Sequence, residues 1–335
     1  MNNFEDKIIL VTGGTGSFGR YVVKRLLDTK VREIRVFSRD EKKQFDMRNK
    51  FSSDERITFM LGDIRDLNAV RKAMSGVNAV FHAAALKQVP HCEKFPEEAV
   101  MTNIIGANNV ITSALDERVE SVVCISTDKA VKPVNVMGLT KALQEKIVVN
   151  ANQDPRNRGT RFVCVRYGNV LNSRGSVVPF FRSCLHRGRK LTITNPEMTR
   201  FMLTLKQAVE LVIWAHDYAI GGETLVRRCP SARIIDIARA VCDIAEKPFE
   251  YTVIGTYPGE KVHEILISDE EQARCIERDN YFVIQPWKQQ TYPTALAREY
   301  NSIDNLISFE ETRSLIQQSD LESEGMEFEE GYFTR

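Results

Sequence analysis

The chain has 335 residues, of which 43% are hydrophobic and 27% charged, as is ordinary for a globular protein with a sizeable core. Its net charge of +1 gives no general attraction to nucleic acid or to an anionic membrane, and we expect neither as a partner. The seven cysteines contain no C-x-x-C pair, which predicts buried thiols in a reducing compartment and no metal site. No apolar run is long enough for a membrane span and the start lacks a signal-peptide pattern, so we predict a cytoplasmic protein without membrane insertion.

The first half of the chain alternates short apolar runs with helical patterns. Apolar runs predict strands at 7–13, 33–39, 56–63, 78–84, 121–127 and 161–169. These runs are continuous, as expected for strands that are covered on both faces in a parallel sheet. Amphipathic patterns predict helices between the strands, at 18–29, 68–76, 103–117 and 138–152. This alternation predicts an α/β fold with a doubly wound parallel (Rossmann) sheet.

After about residue 170 the order of elements becomes mixed. Amphipathic helices are predicted at 203–217 and 234–246, with short strands between them such as 222–228. We therefore expect a smaller mixed α/β lobe, partly interleaved with the first domain, that binds the substrate. The acidic end of the chain predicts a tail or a docking arm. The expected domains are 1–169, 170–289 and a C-terminal extension at 290–335.

The stretch "VTGGTGSFG" is the first candidate binding site. It puts Gly13, Gly16 and Gly19 directly after the first strand, where the first helix opens. A turn of this kind brings backbone amides and a helix N-terminus against a pyrophosphate, which leaves no room for side chains. We predict that this turn binds a dinucleotide, through these glycines and through Thr15, Ser17 and Phe18. The spacing resembles that of the short-chain dehydrogenase/reductase superfamily, in particular its extended branch.

The end of the second strand indicates which dinucleotide is bound. An acidic residue there would hold the ribose 2′-hydroxyl of NAD, but this chain has "FSRDEKK", with Ser38 and Arg39 at the strand end and Lys42 after it. Arg39 could pair with a 2′-phosphate, so we favour NADP over NAD as the cofactor. Asp40 is displaced along the chain and is interpreted as a helix N-cap. The superfamily resemblance adds further cofactor contacts, at Asp63, Ile64, Ala83, Ala84 and Ala85.

The segment "STDKAVKPVNVMGLTK", residues 126–141, resembles the catalytic segment of the same superfamily. There a Ser or Thr ends a strand, and a Tyr-x-x-x-Lys pair lies on the next helix. The tyrosine exchanges a proton with the substrate hydroxyl, and the lysine lowers the pKa of the tyrosine and binds the nicotinamide ribose of the cofactor, a contact that the resemblance implies for Lys141. Thr127 and Lys141 match this pattern, but Met137 stands at the tyrosine position and methionine cannot transfer a proton. The base for the substrate hydroxyl is then Lys141, Asp128 or a water held by Thr127. We favour Lys141, or a water that it holds.

Asp128 and Lys129 supply an adjacent acid and base for which simple hydride transfer has no use. Removing water from a hexose needs both, since a base takes the C5 proton while an acid protonates the departing C6 hydroxyl. We expect burial to lower the pKa of Lys129 for this role. The pair occurs with "HAAALKQVPHCE", "RYGNVLNSRGSVVPFF", "EMTRFMLT" and "GEKVHEILIS". Together these motifs resemble the inverting UDP-N-acetylglucosamine 4,6-dehydratases, and Met137 resembles the subgroup that makes N-acetyl-L-fucosamine precursors for capsules and O-antigens.

The resemblance implies that Lys129 is the C5 base and Asp128 the acid at the C6 oxygen. It implies UDP-N-acetylglucosamine or a close UDP-hexosamine as substrate, a product that further C3 epimerisation could follow, and a homo-oligomer, either a dimer or a hexamer. The implied substrate-binding residues are Lys87, Asn103, Tyr167, Asn169, Ser176, Val177, Pro179, Arg200, Glu260 and Lys261. For Asn103 a purely structural hydrogen bond between helix and strand is the alternative interpretation.

Three other functions remain open from the sequence. A UDP-sugar 5,6-dehydratase would return the hydride to C4 instead of C6, and the sequence does not distinguish this outcome. A 4-epimerase needs only redox chemistry at C4 and would be expected to keep its tyrosine. A non-catalytic NADP-binding sensor would account for the loss of the tyrosine, but not for the intact Thr127, Asp128 and Lys129.

Overall fold

The computed structural model of the protein describes residues 4–51, 54–286 and 294–323. The first half contains strands and helices in alternation: β1 (Ile8–Thr12), α1 (Ser17–Leu27), β2 (Glu33–Ser38), α2 (Glu41–Lys50), β3 (Ile57–Leu61), α3 (Leu67–Met74), β4 (Ala79–His82), α4 (Val89–Lys94), α5 (Pro96–Val100), α6 (Gly106–Asp116), β5 (Ser121–Ile125), α7 (Val136–Asn150) and β6 (Arg161–Arg166). A π-helix, Met101–Ile105, joins α5 to α6, and a 3₁₀ turn, Asp128–Ala130, follows β5.

The second half contains β7 (Asn169–Val170), α8 (Val177–His186), β8 (Leu191–Ile193), β9 (Thr199–Leu203), α9 (Leu205–Tyr218), β10 (Thr224–Arg227), β11 (Ser231–Arg233), α10 (Ile234–Ile244), β12 (Tyr251–Val253), β13 (Ile265–Ile267), α11 (Asp269–Gln272), β14 (Cys275–Arg278), β15 (Tyr281–Ile284), β16 (Tyr300–Asn301) and α12 (Phe309–Ser323). Across residues 4–51, 54–286 and 294–323, no helix is both long enough and apolar enough to cross a membrane.

A nine-stranded sheet in the order β14-β15-β10-β6-β5-β4-β1-β2-β3 organises the molecule. The seven strands from β10 to β3 run parallel, whereas β15 and β14 are antiparallel to their neighbours. The predicted doubly wound parallel sheet is thereby confirmed. The strand order reverses between β1 and β4, and the carboxyl ends of strands at such a reversal form the binding crevice of this fold class.

The two faces of the sheet bury separate apolar cores, as its continuous apolar strands predict. In β1, Ile9 and Val11 point into one core and Ile8 and Leu10 into the other, following the two-residue period of a strand. Each of these side chains is at most 8% exposed. Burial on both faces fixes the register of β1 and therefore the position of the loop that follows it.

A third apolar core lies in the smaller lobe and includes Phe181, Leu191, Val241 and Ile316. Ile316 belongs to α12, so the C-terminal segment packs onto this lobe, and β16 pairs with β13. The acidic end predicted as a tail lies outside the described residues from 324 onwards. Part of the chain beyond residue 170 completes the main sheet, since β10, β15 and β14 form one of its edges.

The sequence patterns missed several short elements. Helix α2 buries only Gln44 and Met47, so it has no apolar stripe to detect. The predicted helix at 103–117 begins as α6 at Gly106, because a π-helix occupies the preceding turn. The hairpin of β14 and β15 was not predicted either, since its strands have only four residues each.

Candidate active site

The glycine-rich turn brings the N-terminus of α1 to the strand reversal. Gly13 has a φ of +67°, and a Cβ on it would lie 2.8 Å from the backbone nitrogen of Ala84. A Cβ on Gly19 would lie 2.5 Å from Cα of Gly14. Both positions therefore exclude side chains, and the turn after β1 lies directly against the end of β4.

The first turn of α1 fits an anion. Gly16 caps this helix without a side-chain hydrogen bond, and no acidic residue lies in its first turn, which contains Ser17, Phe18 and Gly19. The neighbouring helices differ, because Asp40 caps α2 and Asp66 caps α3 with their carboxylates. Backbone donors at an uncapped helix N-terminus form a binding site for phosphate. The residues present thus fit the pyrophosphate of a dinucleotide. Buried Thr15 supports the turn, since its carbonyl accepts a hydrogen bond from Arg20 Nε (3.1 Å).

The end of β2 presents a cation. The Arg39 side chain is 53% exposed, and its Nη1 lies 3.5 Å from Oδ2 of Asp63. Asp40 accepts a hydrogen bond from the backbone nitrogen of Lys43 at 3.0 Å, which confirms it as the N-cap of α2. Ser38 is buried, and its Oγ accepts a hydrogen bond from Nε2 of Gln44 at 3.3 Å. The carboxylate of Asp40 is therefore engaged in its own helix.

The remaining expected cofactor contacts lie at neighbouring strand ends. Asp63 follows β3, and although its partial burial acts to raise its pKa, hydrogen bonds from Arg65 outweigh this and lower the pKa. Ile64 is buried beside it. Three partly buried alanines, Ala83, Ala84 and Ala85, follow β4. Lys42, also expected here, makes an ion pair with Asp46 at 2.8 Å.

Asp128 is a fully buried carboxylate in the 3₁₀ turn after β5. Its Oδ1 accepts hydrogen bonds from Thr127 Oγ1 at 2.9 Å and from Lys129 Nζ at 3.0 Å. Its Oδ2 is buried without a hydrogen-bond partner among the described residues. Burial raises the pKa of Asp128, and the nearby charge of Glu264 adds to this effect. Asp128 can therefore hold a proton more readily than an exposed aspartate.

Glu264 is a functional candidate that the sequence did not indicate. Its Oε1 lies 3.3 Å from Nζ of Lys129 and 3.8 Å from Nε of Arg200, and the residue is 2% exposed. It lies within the quoted motif "GEKVHEILIS", but only the fold brings it to Lys129. A long-range contact of this kind leaves no periodicity or spacing in the sequence.

The expected lowering of the pKa of Lys129 is wrong for the structure described. Burial does act to lower it, but the carboxylates of Asp128 and Glu264 outweigh burial, so the pKa of Lys129 is raised. The ammonium lies between two carboxylates and is partly buried, with 23% of its side chain exposed. Lys129 is therefore protonated at neutral pH in this arrangement.

Lys141 is buried in α7. Its Nζ donates hydrogen bonds to the Ile125 carbonyl at 2.6 Å and to Oε1 of Gln144. Burial lowers the pKa of Lys141, which favours its neutral form. One turn earlier on α7, Met137 is 3% exposed and packs with Cys92 and Ala99 in a small apolar cluster. The methionine thus packs the helix and leaves Lys141 as the ionisable group at this end of α7.

A cleft of about 270 Å³ opens next to Lys129 and gathers much of the predicted site. Its lining includes five further residues that were expected to bind substrate, namely Asn169, Val177, Arg200, Glu260 and Lys261. The sequence missed other polar lining residues, namely Asn135, Thr192, Thr194 and Glu264. These come from distant parts of the chain, and only the packing of the lobe onto the sheet brings them together.

Polar groups in and beside the cleft can recognise a charged, hydroxylated ligand. Oδ1 of Asn169 and Oγ of Ser176 are buried without hydrogen-bond partners in the described chain. Arg200 is 8% exposed, and its Nη1 donates to the carbonyls of Thr199 and Val262. Lys261 donates to the Val131 carbonyl at 2.5 Å, and burial lowers its pKa. Buried donors and acceptors of this kind gain from a ligand that satisfies them.

Other expected substrate residues do not line the cleft. Asn103 is fully buried, and its amide group makes hydrogen bonds to the backbone of Leu86 and to Oγ1 of Thr140, which favours the structural alternative. Tyr167 is buried and stacks on Phe18, with ring centroids 6.3 Å apart.

The last two expected substrate residues, Pro179 and Lys87, are likewise not among the residues that line the cleft. Pro179 lies in the first turn of α8, and exposed Lys87 lies between β4 and α4. Among the described residues, no group of three His, Cys, Asp or Glu side chains could hold a metal ion.

Comparisons with known proteins place this architecture among its relatives. A profile of the family described as "Polysaccharide biosynthesis protein" matches residues 9–286. A UDP-glucose 4-epimerase of Rickettsia rickettsii (strain Sheila Smith) is 46% identical over 286 residues, which cover 84% of this chain and 83% of that protein. A UDP-glucose 4-epimerase of Rickettsia felis (strain ATCC VR-1525 / URRWXCal2) is 42% identical over 329 residues, or 93% of this chain and 96% of that protein.

Solved structures show the same fold. Pen from Bacillus thuringiensis is 38% identical with a TM-score of 0.91, and the match covers 95% of this chain and 99% of that one. DesIV, a dTDP-glucose 4,6-dehydratase from Streptomyces venezuelae with NAD and TYD bound, is 19% identical with a TM-score of 0.69, over 76% of this chain and 86% of that one. The latter likeness concerns the fold alone. The chain belongs to the polysaccharide biosynthesis protein family and has the fold of nucleotide-sugar epimerases and dehydratases.

Proposed function

We propose that the protein is a C5-inverting UDP-N-acetylglucosamine 4,6-dehydratase, a lyase that makes a UDP-2-acetamido-2,6-dideoxy-4-hexulose for bacterial surface polysaccharide. The observation that carries the proposal is the contact between Asp128 and Lys129 beside the cleft, at 3.0 Å. An acid and a base in contact are what elimination of water across C5 and C6 requires, and redox chemistry at C4 alone does not use them.

The cofactor in this proposal is NADP. The uncapped first turn of α1 fits the pyrophosphate, and exposed Arg39 fits a 2′-phosphate. When bound, the nicotinamide would supply hydride transfer from C4 of the sugar and its return to C6. Asp40, the acidic residue nearest the end of β2, already caps α2, which weakens the case for NAD. We also propose that residues 1–169 form the cofactor domain and 170–289 the sugar lobe.

The protonation of the Asp128–Lys129 pair suits elimination. Lys129 must be neutral to take the C5 proton, and Asp128 must carry a proton to give to the C6 hydroxyl. Passing the shared proton from Nζ of Lys129 to Asp128 produces both forms at once. The raised pKa of Asp128, caused by burial, supports this transfer. The C4 ketone makes the C5 proton acidic, so Lys129 removes it, and water leaves as Asp128 protonates the C6 oxygen. A proton from solvent, returned to the opposite face of C5, then completes the inverted 4-keto-6-deoxy sugar.

Lys141 is the proposed base for the C4 hydroxyl. Met137 cannot transfer a proton, and burial lowers the pKa of Lys141 towards the range in which a lysine can act as a base. The UDP diphosphate would be held by Arg200 and Lys261, whose positive charges line the cleft. Asn169 and Ser176 offer unpartnered polar atoms to the sugar. A cytoplasmic homo-oligomer, dimer or hexamer, completes the proposal.

The second candidate is a 4-epimerase, for which the names of the Rickettsia relatives are the specific support. An epimerase needs a proton acceptor at the C4 hydroxyl, and Lys141 could serve there as well. It would leave the buried Asp128–Lys129 pair without a chemical role. A 5,6-dehydratase would use that pair and differ only in returning the hydride to C4.

Incubation with UDP-N-acetylglucosamine in deuterated water separates these reactions. A 4,6-dehydratase gives a 4-keto-6-deoxy sugar with deuterium at C5, observed by NMR and as loss of water by mass spectrometry. A 4-epimerase gives UDP-N-acetylgalactosamine at constant mass, and a 5,6-dehydratase stops at an exocyclic alkene. A parallel reaction with UDP-glucose tests the N-acetyl requirement. Epimer without loss of water, or no turnover with either sugar, would refute the proposal.

A further inference from the structure

The carboxylate of Glu264 contacts the same Lys129 ammonium as Asp128 does. Oε1 of Glu264 is 3.3 Å from Nζ of Lys129, and Oδ1 of Asp128 is 3.0 Å from the same atom. The second oxygen of each carboxylate is buried without a hydrogen-bond partner among the described residues. The Lys129 ammonium thus forms ion pairs with two buried carboxylates, and in each carboxylate one oxygen has no hydrogen bond among the described residues.

This arrangement is costly for a group with only a packing role. Burying an ionised carboxylate is unfavourable unless charges and hydrogen bonds satisfy it fully. Glu264 is 2% exposed, lines the cleft and still lacks a partner for Oε2. The carboxylate of Glu264 is therefore less completely hydrogen-bonded than that of Glu271, whose two oxygens each accept a short hydrogen bond from Arg166.

The fold holds Glu264 firmly in this position. Its backbone nitrogen donates to Oγ of Ser302 at 2.9 Å, and its carbonyl accepts from the backbone nitrogen of Ser302 at 2.8 Å. Ser302 is fully buried and also contacts Oγ1 of Thr199 at 2.6 Å. The backbone of Glu264 is thus fixed from the C-terminal segment, and its side chain extends to Lys129.

We propose that Glu264 is a positioning residue for Lys129: its carboxylate holds the Lys129 ammonium next to Asp128 and so sets the pH at which this lysine can act as a base. This inference rests on the proposed elimination role of Lys129. Removing the charge of Glu264 makes the ammonium easier to deprotonate, because only Asp128 then stabilises it. Glu264 acts through Lys129, with no substrate contact required.

Two cations, Arg200 and Lys261, also affect the pKa of Lys129, and their effect must be separated from that of Glu264. Burial acts to raise the pKa of Glu264, but the charge of Lys129, followed by those of Arg200 and Lys261, lowers it. Arg200 and Lys261 oppose protonation of Lys129, and the two carboxylates favour it. Because Arg200 and Lys261 remain in a Glu264 variant, the change in Lys129 reports the glutamate alone.

The experiment measures the titration of Lys129 without any sugar. Lysines of wild type and Glu264→Gln are labelled by reductive ¹³C-methylation and titrated by NMR, and the Lys129 signal is assigned by its absence in Lys129→Arg. We expect a pKa of Lys129 lower by about 1 to 3 in Glu264→Gln, the effect of losing an opposite charge within hydrogen-bonding distance. Glu277→Gln is the matched control, since Glu277 pairs with Arg228 at the sheet edge, and it leaves the value unchanged.

A folded Glu264→Gln protein in which Lys129 titrates as in wild type overturns the inference. If Glu264→Gln does not fold, Glu264→Asp is used, which keeps the charge but withdraws it by one methylene. Its expected result is a smaller fall in the same pKa, and no fall again overturns the inference. In turnover, the acidic limb of the pH profile for dehydration moves to lower pH in Glu264→Gln. The NMR titration needs no turnover, so it remains decisive even if the dehydratase proposal fails.

Discussion

Nζ of Lys129 lies 3.0 Å from Oδ1 of Asp128, so consecutive residues of the chain form an ion pair beside the cleft. The adjacency is possible because Asp128 and Lys129 lie in a 3₁₀ turn that Thr127 caps. A tight turn of this kind lets neighbouring side chains meet, whereas a strand would send them to opposite faces.

Asp128→Asn tests the acid of this pair. Asparagine keeps the shape of the side chain but cannot protonate a leaving hydroxyl, so we expect the rate of dehydration to fall about 10²- to 10⁴-fold. Product formation is followed by NMR, and reduced nicotinamide absorbance in a single turnover reports oxidation at C4. Asp116→Asn, an exposed carboxylate paired with Arg71, is the control. Dehydration within tenfold of wild type in Asp128→Asn would exclude this role.

Lys141→Met tests the base for the C4 hydroxyl. With no ionisable group at this end of α7, we expect oxidation at C4 to fall at least about 10²-fold, measured as reduced nicotinamide after mixing enzyme and sugar. Cofactor affinity is measured alongside, because Lys141 is also expected to bind the nicotinamide ribose. Met137→Tyr provides the converse experiment. If the tyrosine greatly accelerates oxidation while Lys141→Met leaves it unchanged, Lys141 is not the base.

Arg39→Ala tests the choice of cofactor. If Arg39 binds a 2′-phosphate, its loss weakens NADP by about 10- to 100-fold, the value of a charge-assisted hydrogen bond, and leaves NAD nearly unchanged. Both dissociation constants are measured by titration calorimetry without sugar. Asp40→Ala is the comparison, because it removes the cap of α2 and destabilises the protein by about 1 kcal/mol without altering the preference for NADP. Equal weakening of both cofactors in Arg39→Ala would show that Arg39 does not bind a 2′-phosphate.

Two buried histidines make stability depend on pH. Burial lowers the pKa of His82 and of His216 to about 3, whereas both titrate near 6.5 in the unfolded chain. Between these values the unfolded chain binds more protons, so the free energy of unfolding falls as pH falls. The slope reaches about 1.4 kcal/mol per pH unit for each histidine.

Urea denaturation between pH 6.0 and 5.0 measures this slope before most carboxyl groups titrate. His216→Gln removes one of the two protonation sites while its amide can still meet Oγ of Ser121, which lies 2.6 Å from His216 Nδ1. We expect the slope to fall by about half in this variant. An unchanged slope would mean that His216 does not take up a proton on unfolding.

The sheet and its cofactor end were predictable because their signals are local. Continuous apolar runs mark strands covered on both faces, and the glycines of the first turn follow from backbone contacts such as that of Gly13 with Ala84. The helix cap formed by Asp40 was predictable for the same reason, since its carboxylate accepts a hydrogen bond from Lys43, only three positions further along the chain. The extent of helix α2 beyond this cap was not predictable, because the helix buries only two side chains and has no apolar period.

The charge state of Lys129 could not be predicted from the sequence. Asp128 is its neighbour in the sequence, but Glu264 contacts Lys129 only because the smaller lobe packs against the sheet. The expectation of a lowered pKa counted burial and overlooked this second carboxylate. The hydrogen bonds of Asn103 to Leu86 and Thr140 could not be predicted for a related reason, because they form only when the π-helix packs against α7.

The edge of the main sheet has a consequence for synthesis of the chain. Strand β6 ends at Arg166, but its outer neighbour β10 begins only at Thr224, and the hairpin that covers β10 ends at Ile284. A nascent chain that stops between these points exposes an apolar, unpaired strand edge, which favours association with other chains. Fragments that end near residue 170 are therefore expected to be insoluble, and folding on the ribosome becomes productive only after the last hairpin has emerged.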